Sequence, residues 1–232
     1  MNEGIFQGMV REFHARIGQK ADADLRVSLI QEEGNEFIDA VGERNVIAAI
    51  DALCDLLYVV YGTADVYKVH LDTLVAEATI RVSGIDWLKI GTELPDFTRV
   101  MDKALAAIKT FEAMSYRKAL LTRELENLAN MAWHFGARGL GVYLAPFFKE
   151  VHRTNMHKLE GPKREDGKQL KPPGWKPPRI EEMYGRLQAG LSPICEGSCP
   201  IADDELRTAS DHPSGGYVCT SCGGFIVATD VI

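Results

Sequence analysis

The sequence predicts an all-α helical bundle followed by a small, metal-held C-terminal module. Three observations predict it. Apolar residues recur with helical spacing through the first two thirds of the chain, where strand alternation is nearly absent. Of five cysteines, four (Cys195, Cys199, Cys219 and Cys222) lie beyond residue 190. The chain has 232 residues, 46% hydrophobic and 25% charged, which is enough to bury a core.

The first helix is expected over 2–17, with Ile5, Phe6, Met9, Val10, Phe13 and Ile17 on one face. Asp22 or Asp24 caps a second that runs to about Val41, and Gly42 stops it. Asn45 caps a third over 46–66. A fourth helical stretch is expected over 71–82, a loop or break over 84–97 because of Gly84, Gly91 and Pro95, and helices over 99–114, 116–135 and 142–159. Residues 69–78 and 142–151 echo one another faintly, as a duplicated helical pair or two amphipathic helices would. Residues 161–179 carry six Lys/Arg against two acids and are interrupted by prolines, so they form a loop, read as a flap, a linker or a subunit contact. A short helix over 180–188 closes a body of residues 1–190, and the module occupies 191–232.

A net charge of −7 argues against gripping nucleic acid by charge. No basic-then-apolar leader opens the sequence, and the longest apolar run, 46–62, contains Asp51 and Asp55, so neither secretion nor membrane insertion is expected and a cytoplasmic location is. The two cysteine pairs, with gaps of three and two residues, suit one tetrahedral structural Zn²⁺ in a zinc ribbon. Cys54 reads as a small buried residue without chemistry.

The acids of the second and third helices carry the functional signal. With Leu29 at the origin of a helical wheel, Glu33 falls at about +40° and Glu36 at about −20°, inside the apolar arc, with Glu32 at its edge. Asp51 and Asp55 are four apart in an otherwise apolar helix and share one side. Carboxylates beside apolar neighbours are costly unless a cation meets them, and oxygen-only donors select hard cations such as Mg²⁺ or Mn²⁺. A di-iron carboxylate site is disfavoured, because no Glu has a His three residues after it.

Glu32-Glu33-x-x-Glu36, followed by Asp51-x-x-x-Asp55-Leu-Leu-Tyr, resembles the signature of the all-α nucleoside triphosphate pyrophosphohydrolases, the group of MazG-like enzymes, dimeric dUTPases and phosphoribosyl-ATP pyrophosphohydrolases. Glu33, Glu36 and Asp55 match the pattern. Ala52 stands where a further Glu is usual, and Asp51 lies one residue earlier. Residues 151–158, with Asn155 and Lys158, resemble the family's Asn-x-x-Lys element, and the loop after it is similar to phage and bacterial members. The resemblance covers about 22–82 and 143–179, leaving 84–141 outside the usual single unit. It implies a helical bundle of that type and hydrolysis of a nucleoside triphosphate to the monophosphate and pyrophosphate. It further implies Mg²⁺ or Mn²⁺ on Glu33, Glu36, Asp51 and Asp55, and Glu32 as base or outer ligand. Asn155, Lys158, Arg153 and Arg164 would meet the nucleotide, in a homodimer or homotetramer. The different-class reading is a non-catalytic zinc-ribbon adaptor for nucleic acid or protein on a helical scaffold.

Overall fold

The computed structural model describes residues 4–73, 84–165 and 167–189, and the backbone of three short C-terminal strands. Among the described residues seven α-helices build the body: α1 Ile5–Ile17, α2 Ala23–Gly42, α3 Val46–Val66, α4 Trp87–Ala113, α5 Lys118–His134, α6 Ala145–His157 and α7 Ile180–Gln188.

Local chemistry sets the first boundaries. Gly18 closes α1 in the left-handed conformation at φ +61. The side chain of Asp22 accepts from the Leu25 N–H (2.9 Å) and that of Asn45 from the Ala48 N–H (3.1 Å), which starts α2 and α3 as the capping pattern predicts. Helices α2 and α3 form a tight antiparallel hairpin. Across it Arg26 Nη1 comes up against Gly62, and Asp55 is close enough to Glu33 to raise its carboxyl.

Helix α3 is the centre of the body, packing against α1, α2, α5, α6 and α7. It is the helix among the described residues that is long and apolar enough to cross a membrane by length and composition, but 67% of its most apolar window is buried inside the fold. Phe37, Leu53, Leu57, Trp133, Phe147 and Phe148 fill the core around it.

The break expected over 84–97 is not found. Asp86 caps α4 through the Lys89 N–H, and the helix runs without interruption through Gly91 and Pro95. The reason is the stripe Ile90, Leu94, Phe97, Met101, Ala104 and Ile108, which recurs every three or four residues and packs on the core. Pro95 and Gly91 both face solvent. Pro95 lacks the N–H that would reach the Gly91 carbonyl, so the cost of the proline is one hydrogen bond on an exposed face, which the buried stripe outweighs. Helices α4 and α5 pair with each other and lie on α2 and α3 respectively. Residues 84–141 are therefore an integral hairpin of the bundle.

The chain leaves α5 through a wider π-type turn, Phe135–Gly139, closed by the Leu140 N–H on the Phe135 carbonyl (2.8 Å). Glycine is required at 136 because a Cβ there would stand 2.4 Å from Leu144 Cγ. Helix α6 is shorter than expected, and Lys158–Glu160 continue it as a single 3₁₀ turn. Of the fourth stretch expected over 71–82, residues 71–73 are not helical and the rest lies outside the described residues, as does most of the first copy of the internal echo.

At the C-terminus β1 Leu206–Thr208, β2 Gly216–Cys219 and β3 Phe225–Val227 form an antiparallel sheet in the order β1-β2-β3, with Leu206 opposite Cys219 and Gly216 opposite Val227. Cys219 ends β2, whereas Cys195, Cys199 and Cys222 lie outside the described residues.

Candidate active site

One cavity of about 600 Å³ opens between α1, α2, α3, the end of α6 and the chain that follows it. Glu32, Glu33, Glu36, Asp51 and Asp55 all line it, from the facing sides of the α2–α3 hairpin. So do Asn155, Lys158 and Arg164. Arg153 does not. It projects from the outer side of α6 and clamps the buried Glu150 with two hydrogen bonds of 2.8 and 2.6 Å. Its expected contact with nucleotide is thus corrected to a structural ion pair.

Residues 161–179 form a strap over the mouth of this cavity. Its base is a narrow loop in which Leu170 N–H reaches the Pro162 carbonyl and Arg164 N–H the Lys168 carbonyl, both at 2.8 Å. Gly161 permits this closure, since a Cβ would lie 2.1 Å from the Leu170 carbonyl oxygen. The Gln169 side-chain amide holds the Lys158 and Gly161 carbonyls, and Lys163 reaches across to the Ile17 carbonyl. Trp175 donates to the Thr154 carbonyl (3.0 Å) and lies under the ammonium groups of Lys171 (4.3 Å from the ring centre) and Lys158 (5.5 Å). The indole thus packs the strap onto α6. Of the roles open to this loop, the covering flap is the one the geometry favours.

The strap also supplies functional residues that sequence reasoning did not single out. Lys168 pairs with Glu32 at 2.7 Å, and Lys168 and Lys171 both line the cavity. Their only advance signal was the excess positive charge of the loop. Tyr58 from α3 lines the cavity as well, its hydroxyl bonded to His152 Nδ1 at 3.0 Å.

The carboxylates are held in a state that resists ionisation. Burial, then the charges of Asp55 and Glu36, pushes Glu33 up to about 8. Burial and the same neighbouring acids push Asp51 up to about 7. Burial raises Asp55 despite Lys158, Lys168 and Lys171, and raises Glu36 with help from Asp55. Lys158 moves the other way, lowered by burial. Asp51 Oδ1 is buried without a hydrogen-bond partner. A donor set of hard oxygens, mutually repelling and with one acceptor unmet, fits a divalent cation such as Mg²⁺ or Mn²⁺. No three His, Cys, Asp or Glu side chains among the described residues are already gathered into a metal-holding cluster. Filling the site would therefore require rotation of these carboxylates.

These shifts predict a pH dependence for the metal-free protein. A carboxylate raised on folding binds its proton more tightly in the native state, so stability falls as pH rises from the unfolded value near 4 towards the folded value. The melting temperature in a chelator is expected to decline between pH 5 and 8, the window set by Asp51 and Glu33. A flat profile over that range would mean that the two carboxyls are not paired with their repelling neighbours in solution.

Residues 7–81 match the phosphoribosyl-ATP pyrophosphohydrolase family model. That segment runs from α1 through the whole of α2 and α3, and so holds all five cavity carboxylates. The match points to hydrolase chemistry of the pyrophosphohydrolase type over about a third of the chain. An uncharacterized protein of Acanthamoeba polyphaga mimivirus is 29% identical over 154 residues, an alignment that covers 58% of this chain and 58% of the viral protein. The chain thus spans little more than half the length of that curated relative.

Proposed function

We propose that the protein is a divalent-metal-dependent nucleotide pyrophosphohydrolase, converting a nucleoside triphosphate or related nucleotide and water to the monophosphate and pyrophosphate. The observation that carries the reading is the cavity itself: five carboxylates from α2 and α3 face three lysines and an asparagine, with Asp51 Oδ1 unmet. The family match over 7–81 supports the same reaction class.

Glu33, Glu36, Asp51 and Asp55 would hold Mg²⁺ or Mn²⁺. The ion neutralises the polyphosphate and lowers the pKa of a water, which is the chemistry it supplies when bound. The chain's own groups do the rest. Glu32, at the edge of the acidic cluster, takes the proton of the attacking water at a carboxylate oxygen. The water oxygen bonds to the α-phosphorus, and the bond from that phosphorus to the bridging oxygen breaks, so pyrophosphate leaves with the bonding electrons. Lys158 and Lys171 set ammonium charge against the phosphates, and Asn155, buried at the end of α6, offers a fixed amide to a phosphate or sugar oxygen. The strap excludes water from the site.

The remaining expectations stand as parts of the same proposal: Zn²⁺ on Cys195, Cys199, Cys219 and Cys222 as a structural module, assembly as a dimer or tetramer, and a cytoplasmic location. The test is release of pyrophosphate from a panel of ribo- and deoxyribonucleoside triphosphates and phosphoribosyl-ATP, with Mg²⁺, Mn²⁺ or chelator. Release from at least one member, abolished by chelator, is the expected result. No release from any member with either metal would overturn the reading and favour the non-catalytic adaptor.

A further inference from the structure

At the end of the cavity away from the carboxylates a second constellation stands unused by the chemistry above. Arg26 of α2 lines the cavity, yet only 3% of it is exposed. Its Nε is buried without a hydrogen-bond partner. Asp22 and Asp65 act on its charge through space, but their hydrogen bonds go elsewhere. Asp65 accepts from Arg11 Nε (2.9 Å) and lies 3.2 Å from His14 Nδ1, while Asp22 caps α2. Burial draws Arg26 down to about 10, against the opposing pull of Tyr67, Asp22 and Asp65. A buried charge left in this state is costly, and positions that retain one usually present it to something that binds.

The surroundings say what would bind. Gly62 of α3 makes the room: a Cβ there would come within 2.8 Å of His14 Cε1 and 3.2 Å of Arg26 Nη1. The walls at this end are Phe13, Ile17, Leu25, Leu29 and Val59, apolar and partly aromatic, which suit a planar base better than a hydrated phosphate. The guanidinium presents a rigid fork of N–H donors, which matches the planar acceptor pairs O6/N7 of a 6-oxopurine and O2/N3 of cytosine, and of these the purine offers the larger face to the apolar walls. Adenine offers a donor at position 6 and would set N–H against N–H. The distance also fits. Arg26 and Gly62 lie seven residues from Glu33 and Asp55 along their helices, about 10 Å at 1.5 Å per residue, which is the reach from an α-phosphate to the far edge of its base.

We infer that Arg26, seated against Gly62 beside His14, is the specificity-determining residue of this cavity and selects a 6-oxopurine nucleotide, guanine or hypoxanthine, by a forked hydrogen bond to O6 and N7. This rests on the reading of the cavity as a nucleotide site.

The test compares dGTP, dITP, dATP, dCTP and 7-deaza-dGTP on the full chain and on Arg26→Met. The unaltered protein is expected to favour dGTP and dITP over dATP by roughly ten- to a hundredfold in kcat/KM, carried by KM, and to lose much of that advantage with 7-deaza-dGTP, which lacks the N7 acceptor. Arg26→Met should bring kcat/KM on dGTP down to that on dATP, and should melt close to the parent, because an apolar chain replaces a buried charge whose Nε has no hydrogen bond. Equal use of dGTP and dATP by the parent, or an equal loss on all nucleotides in Arg26→Met, overturns the inference. The 7-deaza comparison needs no variant, so it decides the matter even if Arg26→Met folds poorly. If the parent hydrolyses nothing, the catalytic reading fails by itself. Calorimetric titration with dGMP, dIMP and dAMP then reads the subsite alone: tighter binding of dGMP and dIMP upholds it, and equal affinities overturn it.

Discussion

Asp55→Asn is expected to lower pyrophosphate release by about a thousandfold or more, while the metal-free protein melts at the same temperature as the parent or higher. The two halves have one cause. Asp55 sits on the central helix at the level of Glu33, with its carboxyl raised by burial. If Asp55 holds the metal as proposed, its loss would remove several kcal/mol of charge stabilisation from the reacting phosphate, and about 4 kcal/mol corresponds to a thousandfold in rate. As a buried acid facing Glu33, Asp51 and Glu36, it opposes folding when no cation is present, so its amide relieves repulsion. Rate measured beside thermal melts with and without Mg²⁺ separates the effects. Added Mg²⁺ should raise the melting temperature of the parent more than that of the variant. Turnover within a factor of a few of the parent would remove Asp55 from the site.

Glu150→Ala should be the most destabilising of the charge deletions, by about 2–3 kcal/mol and roughly 5–10 °C in melting temperature for a chain of this size. Glu150 is 6% exposed and binds four donors: Arg153 twice, the Arg179 backbone N–H at 3.1 Å and Arg179 Nε at 3.3 Å. Burial would raise its carboxyl, but these donors hold it at about 2. The two arginines are nearly half exposed and regain water when the acid is lost, which keeps the cost at the low end for a broken buried pair. The Arg179 bond also anchors the end of the cavity strap to α6, so activity should fall with stability. Because the folded carboxyl is depressed, its contribution is complete above the unfolded value near 4.5 and disappears as pH falls towards 2. Acid unfolding of Glu150→Ala should be shallower than that of the parent over that window. A melting temperature within 1 °C of the parent, set against the range above, would show that the clamp contributes nothing.

Much of this protein is legible in one dimension because the governing physics is local. Asp22 and Asn45 cap α2 and α3 through contacts three residues away, so the hairpin that carries the site begins and ends where the pattern places it. Glu33, Glu36, Asp51 and Asp55 betray themselves as acids on apolar arcs, a property of helical periodicity alone. Arg26, the cation of α2, shares that arc at about +60° from Leu29, but periodicity does not show that its Nε goes unbonded.

What the sequence could not decide depends on partners distant along the chain. Pro95 and Gly91 looked like a break, and only the packing of Ile90, Phe97 and Met101 on the core shows why the helix passes through them. Arg153 and Lys158 are five residues apart on neighbouring turns. Glu150 claims the first, and the cavity the second. The basic loop could have been a linker. Its closure at Gly161 and the bond from Trp175 to Thr154 lay it over the acids, where Lys168 meets Glu32 across 136 residues. The sequence by itself determined α2, α3 and the acids they carry, because caps and periodicity act within a turn or two. Tertiary structure alone decided which charges meet and that Arg26 Nε is left without a hydrogen bond, because pairing is set by packing between helices and not by spacing along them.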